Sequence, residues 1–260
     1  MGTLHNSLYK ICSPWWIFKK GGFGVHSPFV FDLITKVIEE KLPYYRYGDI
    51  ELVYKDFLYR EELIDRQDPQ QSSGIVQCPI SDVVMKYATR KEVGELLFRL
   101  ANFYKVHQTV QIGSGSGFST LYLTSYAKDV HSFVLEKECW LAHVAKEVHE
   151  KGARAPVDLL TGEYLPLMQK LTEEKIQADL IYFEAREDHI HYPELLDEAL
   201  KMVHDRSVMV FEGIRADGMM KAFWAKASEA EGVTVALDLW SVGILLFDSH
   251  LHKHYYKVYF

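Results

Sequence analysis

Residues Val110 to Leu123, "VQIGSGSGFSTLYL", hold the pattern on which the fold turns. A short apolar strand, "TVQIG", runs into Gly113-Ser114-Gly115-Ser116-Gly117 and then into the helix-forming run that starts at Phe118. Glycines at such a junction take backbone conformations closed to other residues and let a ligand approach the main chain. The start of the following helix offers N–H groups without intrahelical partners. A turn of this kind commonly holds a nucleotide-like cofactor, but it also occurs as a purely structural turn, so its surroundings decide.

Downstream the rhythm is regular. "TVQIG" leads to a helix over 118–127, "VHSFVLE" to one over 138–151, and "VDLLTG" to one over 164–174. "ADLIYFE" leads to a helix over 193–203 and "SVMVFEG" to one over 217–229. Five short apolar strands alternating with helices predict a parallel sheet covered on both faces. The ending breaks the rhythm, because "VTVALDLW", "SVGILLFD" and "KHYYKVYF" are strand-like with no helix between the first two. The expected fold class is α/β: a Rossmann-like, seven-stranded, mostly parallel sheet with a C-terminal antiparallel hairpin, plus an N-terminal helical segment.

Upstream, "KEVGELLFRLANFY" (Lys91–Tyr104) reads as an amphipathic helix leading into the first strand. Residues 27–57 read as helical, with Ser27 as N-cap, Pro28 at the first helical position and Pro43 as a stop. Glu61 to Ile80 is polar, carries Pro and Gly, and is expected to be a loop or lid. The division expected is a cap or dimerisation segment over 1–85 and a cofactor-binding domain over 86–260.

The chain has 260 residues, 29 basic and 36 acidic, for a net charge of −7. That balance argues against a nonspecific grip on nucleic acid, which needs a concentrated positive footprint. Cys12, Cys78 and Cys139 lack CxxC spacing and read as free thiols of a reducing cytosol. The N-terminus has no signal-peptide pattern, and no apolar run reaches the ~18 residues of a membrane span. A cytoplasmic protein without membrane or nucleic-acid partners is expected. Trp15, Trp16 and Phe18 suit a lid or a homodimer contact.

Two features choose among cofactors. The dinucleotide form of the turn needs a further glycine at position 118, which is Phe118. The next strand ends in Glu136, 19 residues after Gly117, about where a carboxylate grips ribose hydroxyls. Together with the terminal hairpin, these residues resemble a class I S-adenosylmethionine-dependent methyltransferase. More narrowly, the chain is similar to a bacterial group related to small-molecule O-methyltransferases. That likeness runs over nearly the whole chain through "HSPFVFDLITKVIEEKLPYY", "GELLFRL", "GFSTLYL", "GVTVALDLWSVGILLFD" and "HYYKVYF". The N-terminal block and the tail are specific to the group, whereas the glycine turn alone is generic.

The resemblance implies that Gly113, Ser114, Gly115 and Gly117 wrap the methionine part of the cofactor and that Glu136 binds its ribose. Glu163 would lie near the adenine, or serve only as a carboxylate at a helix N-terminus. Relatives usually place an acid where Gln111 stands, to meet the cofactor's ammonium; an amide can still accept a hydrogen bond. Glu184 stands in the place of the acid that ends the fourth strand, and Glu187 where a base such as His or Lys is expected. Metal-using relatives have Asp followed by Asp or Asn where this chain has Glu212-Gly213, so no divalent metal is expected. An oxygen nucleophile must lose its proton, and Glu184 and His189 are the candidate catalytic residues, with Asp188 and His191 nearby. His250, His252 and His254 alternate, a spacing that suits zinc on one strand face but falls where the hairpin should turn.

The leading expectation is methyl transfer from S-adenosylmethionine to a small-molecule acceptor, at oxygen. The rival is a protein that binds the donor or a related ligand without turnover, motivated by Gln111, Glu187 and Gly213. A nicotinamide oxidoreductase is third, disfavoured by Phe118 and the hairpin.

Overall fold

In the computed structural model, which describes residues 20–67, 74–184 and 191–260, Ser27 opens the first helix as expected. Its Oγ accepts from the Val30 amide at 3.4 Å, and Pro28 takes the first turn of α1 (Pro28–Leu33). A π-helical turn, Ile34–Ile38, continues α1, and the chain resumes as α2 (Tyr45–Leu58). Next come β1 (Leu63–Gln67) and β2 (Ile75–Pro79), paired antiparallel with Leu63 opposite Pro79. Where a loop or lid is expected over residues 61–80, residues 63–67 and 75–79 instead form a pair of antiparallel strands. These strands place Leu63 and Ile75 outside and Ile64 and Val76 half inside, an alternation too short to stand out among polar neighbours.

After α3 (Ile80–Tyr87) and α4 (Lys91–Tyr104) the alternating half begins with β3 (Gln108–Ile112), a 3-10 turn at Gly115–Gly117 and α5 (Phe118–Thr124). It continues through β4 (His131–Glu136), α6 (Cys139–Gly152), β5 (Val157–Thr161), α7 (Tyr164–Glu173) and β6 (Leu180–Phe183). α8 (Tyr192–Leu200), β7 (Val208–Glu212), α9 (Gly218–Ala227), β8 (Val235–Asp238), β9 (Val242–Leu246) and β10 (His254–Lys257) complete it. The sheet order is β10-β8-β9-β7-β6-β3-β4-β5. Every pairing is parallel except those of β9, which runs against both β7 and β8. The mostly parallel sheet with its hairpin is as expected, but among the described residues it holds eight strands rather than seven. The eighth, β10, lies at the edge parallel to β8, where Tyr256 turns into the core.

Side chains alternate between the two faces of the sheet with period two. Tyr182 and Val210 join Phe57, Val84, Leu97, Phe118 and Val144 on one side. Phe183 and Phe211 join Met168, Leu195 and Trp224 on the other. Helices on both faces are what a parallel sheet needs in order to bury its continuous apolar strands. The N-terminal helices are part of the first cluster, with the Tyr54 ring edge-on to Phe118 at 5.2 Å. Among the described residues no helix is long and apolar enough to cross a membrane.

From β3 the chain progresses through β4 and β5 in one direction and through β6 and β7 in the other. The strand order thus reverses between β3 and β6. In open α/β sheets, ligands bind at that reversal, outside the carboxyl ends of the strands.

Candidate active site

Glu136 and Glu212 end β4 and β7 on this same edge, Glu184 directly follows β6, and Gln111 lies one residue before the end of β3. The backbone leaves β3 through Gly113 (φ 89°), Gly115 (φ 48°), Ser116 (φ 63°) and Gly117 (φ 91°). All are left-handed, which is why glycine dominates the turn. Gly117 also backs onto α6, where an added Cβ would meet the Ala145 carbonyl oxygen at 2.9 Å and His149 Nε2 at 3.1 Å. Burial pushes the His149 imidazole from its ordinary value down to about 4.

Glu136 is 1% exposed and faces the turn. Its Oε2 accepts from the Ser114 amide at 2.8 Å and the Ser114 hydroxyl at 2.6 Å. Its Oε1 accepts from the Glu138 amide at 3.0 Å and the Tyr164 hydroxyl at 3.4 Å. Beside it, the Gly162 amide donates to the Glu136 carbonyl, so Glu163 stands at the rim as the first residue before α7. The Glu163 side chain is exposed and lies 3.4 Å from Lys137 Nζ.

Gln111 is fully buried. Its Nε2 lies 2.9 Å from the Gly113 carbonyl, 2.6 Å from Ser119 Oγ and 2.9 Å from Glu184 Oε2. Its Oε1 accepts from Thr120 Oγ1 at 2.9 Å. Ser119 in turn donates to Glu184 Oε2. The Glu184 backbone amide extends the β3–β6 pairing by donating to the Ile112 carbonyl at 2.8 Å. Its carboxyl group lies against Gly115, where an added Cβ would stand 2.0 Å from Oε1. Gly115 is therefore required both by its backbone conformation and by the carboxylate beside it.

The third carboxylate is engaged differently. Glu212 Oε2 accepts from the Tyr182 hydroxyl at 2.7 Å, and Oε1 lies 3.3 Å from Arg90 Nε. Arg90 also donates to Ser241 Oγ at 3.1 Å. Burial, and then the Glu212 charge, hold the Tyr182 hydroxyl well above its ordinary value.

Gln111, Gly113, Ser114, Gly115, Gly117, Glu136 and Glu184 thus come together, and Glu163 stands beside them on the rim. His189, with Glu187 and Asp188, lies outside the described residues. His191 is exposed at the start of α8. His250 Nδ1 is 3.0 Å from Asp248, and no group of three or more His, Cys, Asp or Glu among the described residues is placed to hold a metal. Sequence reasoning missed Arg90, Tyr182, Ser119, Thr120 and His149. Ser119 and Thr120 carried a signal, as adjacent hydroxyls at the start of an otherwise apolar helix. Thr89 Oγ1 and Ser116 Oγ are buried and have no hydrogen-bond partner among the described residues.

A parallel sheet with one reversed strand near its end, a glycine turn after the central strand and an acid closing the next strand together define the class I methyltransferase fold. The chain belongs to the O-methyltransferase family, whose model matches residues 72–237. Among solved structures it is similar to an O-methyltransferase from Bacillus cereus in complex with S-adenosylhomocysteine, with a TM-score of 0.58 and 17% identity over 82% of this chain and 96% of that one. It is similar to TomG from Streptomyces achromogenes, an O-methyltransferase involved in tomaymycin synthesis and bound to S-adenosylmethionine, with a TM-score of 0.56 and 17% identity over 79% and 91%. The methyltransferase PaMTH1 of Podospora anserina, bound to S-adenosylhomocysteine, matches with a TM-score of 0.55 and 15% identity over 85% and 96%. At these identities the likeness is one of fold. No curated protein matches.

Proposed function

We propose that this protein transfers a methyl group from S-adenosylmethionine to a small-molecule acceptor, at oxygen. The observation that carries the reading is a pair of buried carboxylates, Glu136 and Glu184, facing the glycine turn from its two sides. Two buried acids beside one turn suit a ligand that carries hydroxyls for one and a cationic amino-acid group for the other. The buried, unpartnered Ser116 hydroxyl in the turn supports a polar ligand there. So do the complexes named above, which hold the methyl donor or its demethylated product.

In this reading Gly113, Ser114, Gly115 and Gly117 let the backbone approach the methionine part. Glu136 accepts from the ribose hydroxyls, with the long Tyr164 contact at 3.4 Å the first to yield. Glu163 lies on the adenine side. Glu184 meets the ammonium, with Gln111 behind it. The cofactor, when bound, supplies a methyl already activated on a sulfonium, so the protein's task is alignment, exclusion of water and removal of the acceptor's proton. His189 is the proposed base, and the packing of Tyr54 and Phe57 on Phe118, at the helix that follows the glycine turn, supports a capping role for the N-terminal segment.

A divalent metal does not fit the described residues. Glu212 is engaged by Tyr182 and faces the Arg90 guanidinium, which opposes a second cation at that oxygen, and Gly213 supplies no ligand. Turnover is therefore expected to persist in a chelator and to gain less than about twofold from added magnesium; abolition by the chelator would refute metal independence.

The methyl-transfer reading is tested by calorimetric titration with S-adenosylmethionine and S-adenosylhomocysteine, followed by turnover over a panel of phenols and alcohols. No binding at millimolar ligand would overturn it. Binding without turnover across the panel would favour a non-catalytic binding protein.

A further inference from the structure

We propose that Gln111 is a positioning residue, an amide clamp that works through Ser119 to hold the Glu184 carboxylate against Gly115, where it faces the cofactor's amino-acid end. The inference rests on the methyl-donor reading. The clamp follows from the direction of its hydrogen bonds. Gln111 Nε2 donates to the Gly113 carbonyl at 2.9 Å, a group that can only accept, so the flip of the amide is fixed with its NH2 group toward Glu184 and its Oε1 left to accept from Thr120 Oγ1. The Gln111 Nε2 then lies within hydrogen-bond reach of both Ser119 Oγ and Glu184 Oε2, and the Ser119 hydroxyl donates to that same oxygen. Two donors thus converge on one oxygen of a carboxylate only 3% exposed. Buried charge needs such donors.

The chemistry also says why this position is an amide. A carboxylate at 111 would put an oxygen about where Nε2 now stands, 2.9 Å from Glu184 Oε2, and two carboxylates that close cannot both stay ionised. An apolar side chain would leave Thr120, Ser119 and Glu184 facing a buried group with no donor or acceptor. Gln111 is therefore matched to Glu184 across the β3–β6 register, in which residue 111 is opposite Tyr182, two residues before Glu184.

The test compares two ligands by calorimetry, S-adenosylhomocysteine and 5′-methylthioadenosine, the second lacking the amino-acid end. The expected result is that Gln111→Met weakens S-adenosylhomocysteine about tenfold or more and changes 5′-methylthioadenosine less than about twofold. Glu184→Gln is expected to do the same, and the double variant to be no weaker than Glu184→Gln alone, because the clamp acts only through that carboxylate. Ser119→Ala, which disturbs packing less, should show the same selectivity with a smaller loss. Equal weakening of both ligands, or additive losses in the double variant, would overturn the clamp while leaving the methyl-donor reading intact. A wild-type protein that binds neither ligand would overturn both.

Discussion

His149 sits under the glycine turn with its imidazole 8% exposed and Nε2 without a hydrogen-bond partner among the described residues. Its pKa is lowered from 6.5 to about 4 by burial. A histidine depressed in the fold binds its proton more readily when unfolded. The stability it leaves in place is therefore complete above pH ~6.5 and is lost as pH falls toward 4, by about 3 kcal/mol in all. Urea midpoints at pH 7.5 and 4.5 should therefore fall less for His149→Leu than for the wild type; equal falls would show that this residue is not the cause. The sequence displayed His149 only as one more residue of a helix, because nothing local says that it meets Gly117. Gln111 is the opposite case. Its oddity was legible at once, but its partner Glu184 lies 73 positions away and is brought near only by strand register.

At the scale of elements, legibility followed periodicity. The strand–helix alternation from β3 to α9 was readable because buried parallel strands are short apolar runs and their helices are amphipathic. β1 and β2 were not readable, since their pairing is a backbone matter carried by half-exposed, polar strands. β10 read as a strand, but its place beside β8 depends on a long return that composition does not encode. Packing between elements is equally silent in sequence. Gly243 in β9 lies against the Trp224 ring of α9, and an added Cβ would stand 2.4 Å from Cζ3. Gly243→Ala should cost about 1–3 kcal/mol by overpacking, read as a lowered urea midpoint with unchanged cooperativity. An unchanged midpoint would mean that the ring moves aside freely.

For the molecule as a whole, the division expected after residue 85 makes a strong claim about cooperativity. Tyr47, Ile50 and Phe57 of α2 are buried in the same cluster as Phe98, Phe118 and Tyr122, with Tyr47 6.0 Å from the Tyr122 ring. A fragment beginning at residue 86 would expose that apolar face. It is expected to lack a cooperative thermal transition, and a sharp melt near that of the full chain would show that the fragment folds alone.

One consequence of the strand directions bears on the rim of the site. Because β9 is reversed, the short connection from β8, Leu239 to Ser241, emerges on the edge where the other strands end. There the Ser241 carbonyl accepts from the Gly213 amide and its hydroxyl from Arg90. Trp240 is held at φ 74° with its ring 4.7 Å from Arg215. The reversal thus acts as a socket. It seats a three-residue bracket at the rim of the site, rooted in the core by the buried Leu239 and tied by Ser241 to Gly213 and Arg90, so that the rim is joined to the sheet through core and backbone alike.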